Sequence, residues 1–389
     1  MAANDGTDPP EGEAKISGGT SGGPSGRVLV AAGGTGGHLF PAEALAAALG
    51  RRSVAVELVT DSRAARHAGA FPANAVHVIP SDTIRGRNPF LLARSGSVLA
   101  YGMLKAWFKL PRLRPSAIVG FGGYPTIPPL LAATARGIPS LIHEQNAVMG
   151  RANRMLAPRV RAIATGFPGI LNREPALAAK ATYTGNPVRP AVIEAAATPY
   201  PAGDIAGPLN LLVFGGSQGA RVMADIVPAA VERLEPRLQM RLLVMQQARA
   251  EDLERVREAY AKLQVAAEVA PFFTDLPVRM AWSHLVVSRS GASTVAELSV
   301  IGRPAILVPL PHALDQDQRA NAGVLMDAGG AIRLDQAEFT SDRLAAEIAA
   351  LAAEPQRLAA MAKASKSVGA TDAAERLADL VLRVARIGR

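Results

Sequence analysis

The chain has 389 residues, 49% of them apolar, which suffices for about two domains with cores of their own and excludes a disordered protein. It contains no cysteine, so disulfides, thiolate catalysis and thiolate metal sites are excluded. A net charge of +9 favours an anionic partner, while an aromatic content of only 4% argues against a surface that stacks nucleic-acid bases.

Residues 1–26 are rich in Gly, Ser, Pro and Asp and read as a disordered tail without the apolar core of a secretion signal. Residues 27–32 are an apolar run that predicts a buried strand. The turn Gly33-Gly34-Thr35-Gly36-Gly37-His38 follows, and a helix is expected over 41–49 with Pro41 near its start. A second strand is expected over 54–59, which makes a βαβ opening. The dinucleotide fingerprint is incomplete, because Leu39 stands where its third glycine belongs.

Residues 83–143 contain no Asp or Glu but do contain Arg85, Arg87, Arg94, Lys105, Lys109, Arg112, Arg114 and Arg136. Phe90, Leu91, Leu92, Val98, Leu99, Met103, Leu104, Trp107 and Phe108 recur among them near helical spacing. Such a helix suits the surface of an anionic bilayer, or it is an ordinary packed helix with solvated cations. Nucleic acid is disfavoured, because the cations alternate with large aliphatics. No uninterrupted apolar stretch is long enough to span a bilayer.

Strands are expected over 117–120 and 139–143. The first runs into Gly122-Gly123-Tyr124 and the second into Glu144-Gln145-Asn146. In open α/β sheets such strand ends line the ligand crevice. Gly185-Asn186-Pro187-Val188-Arg189 and the Pro/Gly/Ala stretch to 208 read as an interdomain connection. A strand over 209–214 then runs into Gly215-Gly216-Ser217-Gln218-Gly219-Ala220, which repeats the opening pattern and implies a second, similar domain. Strands over 241–246 and 265–269, with a charged helix between them, lead to Phe272-Phe273.

The strand over 284–287 ends in Ser288-Arg289-Ser290-Gly291-Ala292-Ser293-Thr294-Val295-Ala296-Glu297, a turn and the start of a helix. Free N–H groups there form an anion site. Gly291 and Ala292 let a phosphate approach, and Ser290, Ser293 and Thr294 add hydroxyls. Glu297, one turn in, suits a ribose diol, or it is merely a solvated acid beyond a capped helix start. A strand over 304–309 leads through Gln318 into another helix, and an amphipathic helix is expected over 373–387.

Two such domains facing a cleft suit a nucleotide ligand. To transfer a sugar from a nucleoside diphosphate, a protein must neutralise the leaving diphosphate and take a proton from the acceptor hydroxyl. Helix N-termini and Arg189 suit the first task; His38 or Glu144 suits the second. No His/carboxylate cluster commands a metal, so neither metal nor cofactor is expected.

Six motifs stand in order: 33–38, 122–124, 143–146, 185–189, 215–220 and 289–297. Together they resemble the bacterial family that adds N-acetylglucosamine to undecaprenyl-pyrophosphoryl-N-acetylmuramoyl-pentapeptide, converting lipid I to lipid II in peptidoglycan synthesis. The resemblance runs from about Arg27 to the C-terminus. It implies an α/β fold of two Rossmann-like doubly wound domains facing a cleft (the GT-B type). The implied layout is a tail over 1–26, an acceptor and membrane domain over 27–188, a donor domain over 189–365, and a C-terminal helix within 366–389 that packs back on the first domain.

The same resemblance implies UDP-N-acetylglucosamine as donor, the C4 hydroxyl of the lipid-linked sugar as acceptor, inversion, and peripheral attachment to the cytoplasmic face of the inner membrane. Donor contacts are implied at Thr35, Gly36, Gly37, Asn146, Arg189, Ser217, Phe273, Ala292, Ser293, Thr294, Val295, Ala296, Glu297 and Gln318. Phe273 would lie by the uracil, Glu297 by the ribose and Gln318 by the sugar. Gly34, Gly122, Gly123 and Tyr124 would line the acceptor side. His38 is preferred to Glu144 as base. The loop Asp315-Gln316-Asp317-Gln318 departs from the family pattern, in which a His or Gln precedes the last Gln. Two other readings compete: a UDP-sugar epimerase or hydrolase on the same fold, and a non-catalytic membrane scaffold.

Overall fold

The structure is a computed structural model and describes residues 26–33, 36–65, 71–82, 89–201, 203–216, 219–311 and 316–387. Most of the expected tail (1–25), together with Arg85 and Arg87, lies outside the described residues. The strands, in chain order, are β1 (Arg27–Ala31), β2 (Ala55–Thr60), β3 (Ala75–Val78), β4 (Ala117–Gly120), β5 (Ser140–Glu144), β6 (Ala162–Thr165) and β7 (Ala181–Tyr183). They continue with β8 (Leu209–Phe214), β9 (Leu242–Gln247), β10 (Ala266–Ala270), β11 (Leu285–Ser288), β12 (Ala305–Leu307) and β13 (Ala331–Arg333).

They form two sheets, ordered β3-β2-β1-β4-β5-β6-β7 and β10-β9-β8-β11-β12-β13. Every pairing is parallel. Parallel sheets are covered on both faces, which is why Val28-Leu29-Val30-Ala31 and Leu285-Val286-Val287 are apolar without alternation and fully buried. Each sheet separates two apolar clusters. Leu45, Leu49 and Val56 lie on one side of the first and Leu130, Ile142 and Leu156 on the other.

Chain order places the crevices. In the first sheet the chain winds outward from β1 to β3, then returns to β4 on the other side of β1. In the second it does the same from β8 to β10 and back to β11. The strand order therefore reverses between β1 and β4 and between β8 and β11, and a glycine turn follows each of these four strands. Ligands of open α/β sheets bind at this reversal.

The helix after β1 differs from expectation. It is Gly36–Arg51, with Pro41 inside it. Proline has no N–H, so the Gly37 carbonyl, four residues back, loses its intrahelical partner. That carbonyl accepts instead from Ser293 Oγ at 3.3 Å.

The basic stretch forms one helix, Pro89–Leu113. Ala106 and Leu110 face the core, while Tyr101, Met103, Leu104 and Phe108 are exposed. Trp107 is not part of the exposed set. It packs at the edge of the core beneath Arg136, whose guanidinium carbon lies 3.9 Å from the ring centre.

The C-terminal helix, Ala373–Ala385, puts Leu377, Leu380 and Val381 into the cluster of Leu45 and Leu49 in the first sheet's domain. Arg52 of that domain binds its Glu375 and Asp379. On the way there the chain crosses Gly185 (φ +80°), where an added Cβ would come within 2.5 Å of Ala370 Cβ.

Candidate active site

The first wall of the cleft is built at the ends of β1, β4 and β5. His38 lies in the first turn of helix 36–51, and its ring rests on the turn after β4. Gly122 and Gly123 there have φ of +80° and +74°, which favours glycine. A Cβ on either would lie 3.4–3.5 Å from the His38 ring. His38 Nδ1 is 2.8 Å from Gln145 Oε1. Tyr124 lies in a short 3-10 turn beyond the glycines, partly buried against the core.

Glu144 does not reach the cleft as a free base. It is 2% exposed. One oxygen accepts from Asn146 N and Nδ2 and the other from Gly150 N and Asn153 Nδ2, at 2.8–3.2 Å. Burial raises its pKa, opposed by these bonds. A carboxylate with both oxygens so occupied shapes its own loop, which tells against the expectation that it takes a substrate proton. His143, fully buried, is pushed down to about 4 by desolvation and stays neutral against the Gly185 carbonyl.

The second wall is built at the ends of β11 and β12. Gly291 precedes helix Ala292–Ile301, and no side chain caps that end, so its first N–H groups are open to an anion. Thr294 is half-buried, whereas Val295 and Ala296 turn their side chains into the core, so only their backbone faces a ligand. Glu297 is 6% exposed and paired with Arg189 at 3.3 Å. Burial raises its pKa and Arg189 opposes the rise. Arg189 lies on the Phe40 ring of helix 36–51, and its Nε has no partner among the described residues. Glu43 of the same helix also feels its charge.

Gln318 Oε1 accepts from Leu310 N, while its carbonyl accepts from Ser290 Oγ. The Phe273 ring is buried under Arg279. The walls touch where Ser293 meets Gly37, and again where Asn321 Oδ1 accepts from Ala147 N and its Nδ2 donates to Asn146 Oδ1. Gly34, Thr35 and Ser217 lie outside the described residues. Among the described residues no three His, Asp or Glu side chains are grouped to hold a metal.

The chain matches the glycosyltransferase family 28 N-terminal domain over residues 28–165 and the family's C-terminal domain over 210–377. The chain belongs to glycosyltransferase family 28. It is 64% identical over 358 residues to a Bradyrhizobium diazoefficiens protein named UDP-N-acetylglucosamine–N-acetylmuramyl-(pentapeptide) pyrophosphoryl-undecaprenol N-acetylglucosamine transferase, covering 92% of this chain and 98% of that one. Acinetobacter baumannii MurG superposes with a TM-score of 0.75 at 30% identity, over 92% of this chain and 99% of that one. The UDP-GlcNAc 2-epimerase of Neisseria meningitidis shares the fold alone, with a TM-score of 0.64 at 12% identity, over 92% and 100% of the two chains.

Sequence reasoning gave no role to several residues of this family 28 cleft. Gln145 holds His38, Asn153 holds Glu144, and Asn321 joins the two walls. Arg289, nearly buried, donates to the carbonyls of Val308 and Pro309 and pins the loop after β12. The available signal was polar side chains at helix positions that the periodicity assigns to the interior, Asn153 and Asn321 above all. Both are at most 3% exposed.

Proposed function

We propose that the chain moves N-acetylglucosamine from UDP-N-acetylglucosamine to the C4 hydroxyl of the N-acetylmuramoyl group in undecaprenyl-pyrophosphoryl-N-acetylmuramoyl-pentapeptide, with inversion. The observation that carries this is the meeting of two helix N-termini across the cleft, Gly37 against Ser293, with His38 on one wall and an uncapped helix start on the other. His38 takes the C4 proton as that oxygen attacks the anomeric carbon and the bond to the β-phosphate breaks. UDP leaves toward helix 292–301, whose N–H groups and dipole stabilise the departing charge. Attack from one wall and departure toward the other is a single in-line displacement, which inverts the centre.

Arg189 and Glu297 must separate for this. Glu297 takes the ribose hydroxyls and Arg189 turns to the diphosphate, exchanging one anion for another. The backbone of Phe273 reads the uracil, and Gln318, with Asn146, holds the sugar. Gly122, Gly123 and Tyr124 line the acceptor side.

The acceptor arrives in a membrane. Tyr101, Leu104 and Phe108 stand out from helix 89–113 beside Lys105, Lys109 and Arg112, and they line a groove of about 530 Å³. This face suits an anionic bilayer surface. Among the described residues no helix is long and apolar enough to cross a membrane. We place the protein peripherally on the cytoplasmic face of the inner membrane, with no role for nucleic acid.

The test is UDP release from UDP-N-acetylglucosamine with and without a lipid I analogue. Release is expected only with acceptor, and His38→Ala is expected to lower kcat about a hundredfold while donor binding survives. Acceptor-independent turnover would favour the epimerase or hydrolase instead, and binding without any turnover would favour a scaffold.

A further inference from the structure

The sequence offers no reason for a glutamine at 145; its surroundings do. Gln145 is 4% exposed. Its Nε2 is 2.9 Å from the carbonyl oxygen of Phe121. A backbone carbonyl only accepts, so the NH₂ end of the amide must face it, and the two ends of the side chain are not interchangeable. Oε1 is thereby turned to His38 Nδ1 at 2.8 Å. That oxygen also only accepts, so Nδ1 must carry the proton. A neutral imidazole has one N–H, which leaves the lone pair on Nε2.

We infer that Gln145 is a positioning residue that fixes the His38 tautomer, keeping Nε2 unprotonated for the acceptor hydroxyl; this rests on the reading of His38 as proton acceptor. Gln145 is itself held. Its main-chain oxygen accepts from Asn186 Nδ2 at 2.8 Å, and the preceding Glu144 is locked by its four hydrogen bonds. The Gly122-Gly123 turn supports the other side of the His38 ring. Nothing in this chain of contacts needs a side chain to move during turnover.

An amide has a specific advantage here. A carboxylate in the same place would also select the Nδ1–H tautomer, but its charge would favour the imidazolium over the neutral ring. A neutral oxygen orients the ring without placing a charge beside it. The tautomer is set by geometry alone.

The experiment uses the full chain labelled with ¹⁵N-histidine, with the His38 signals assigned by their loss in His38→Ala. With the ring neutral, the wild type is expected to show a protonated Nδ1 and an unprotonated Nε2. In Gln145→Met, of similar length but with no amide, the two forms are expected to mix. Its kcat should fall ten- to a hundredfold with both KM values within about twofold, and adding Gln145→Met to His38→Ala should cost nothing further. A wild-type His38 protonated at Nε2 overturns the inference, and the wild-type spectrum decides this even if Gln145→Met does not fold. An equal loss from Gln145→Met with and without His38 also overturns it, because the effect would then bypass the ring. If His38→Ala turns over normally while wild-type Nδ1 is protonated, the proton-acceptor reading fails, and the catalytic part of the inference fails with it.

Discussion

Glu144, at the end of β5, and Glu297, within helix 292–301, stand one in each half of the cleft, and they are satisfied in opposite ways. Each is an acid beside the cleft that burial pushes toward its neutral form. Glu144 is surrounded by four neutral N–H donors drawn from residues 146, 150 and 153. Glu297 has a single charged partner at 3.3 Å, and that partner's side chain is 23% exposed. A carboxylate held by many fixed donors is part of the scaffold. One held by a single, partly solvated guanidinium can exchange its partner for a ligand. The contrast separates two acids that look equally functional in a motif.

The sharpest way to break this comparison is to remove each acid in turn. Glu144→Ala strands four donors in a buried loop and should destabilise the protein by about 3 kcal/mol or more, read as a lower urea midpoint at unchanged slope. If Glu144→Ala instead kept its stability and lost only turnover, the scaffold assignment would fail. Arg189→Ala should come next. It takes the cation from both Glu297 and the incoming diphosphate, and should weaken UDP-N-acetylglucosamine binding by about 2 kcal/mol, roughly thirtyfold, in a titration of the variant. Glu297→Gln should weaken the same binding by about tenfold through the ribose contacts, with stability within about 1 kcal/mol of wild type. Equal stability losses in Glu144→Ala and Glu297→Gln would erase the distinction.

How these residues would be used was only partly legible beforehand. The apolar runs of β1, β4, β8 and β11 and the glycine turns behind them are local patterns, since a parallel strand buried on both faces advertises itself in four or five residues. The turn after β11 and the start of helix 292–301 were legible for the same reason. The surroundings of Glu144 were hidden because its donors come from a loop and a following helix whose path only the fold fixes. The Asn321 bridge joins residues 174 and 175 positions apart, beyond any periodic signal. Trp107 stood in a helix that suited either a bilayer surface or ordinary packing, and nothing local reveals that Arg136 covers it. The helix start at Gly36 was missed because a proline usually marks a first turn, and here it sits within the helix with its released carbonyl taken by the other domain.

The smallest effect concerns pH. A raised folded-state pKa means that the native protein holds protons the unfolded chain has already released. The stability from such a group is fully present below its unfolded pKa and is lost as pH rises through the folded one. Glu144 and Glu297 both shift this way. Urea midpoints measured upward from about pH 4.5 should therefore fall less steeply in Glu297→Gln than in wild type, by under about 1 kcal/mol across the range. A steeper fall would mean that Arg189 holds Glu297 ionised more firmly than its burial opposes.

The crossing of Gly185 by the chain near Ala370 carries a consequence for connectivity. The segment that leaves the first sheet and the segment that returns to it run against each other, so close that a single methyl group on residue 185 would collide. Everything between is tethered at a paired root. The second sheet and its helices are thus topologically an insertion with adjacent ends, and the natural places to cut and rejoin this chain lie at that root and not within the cleft.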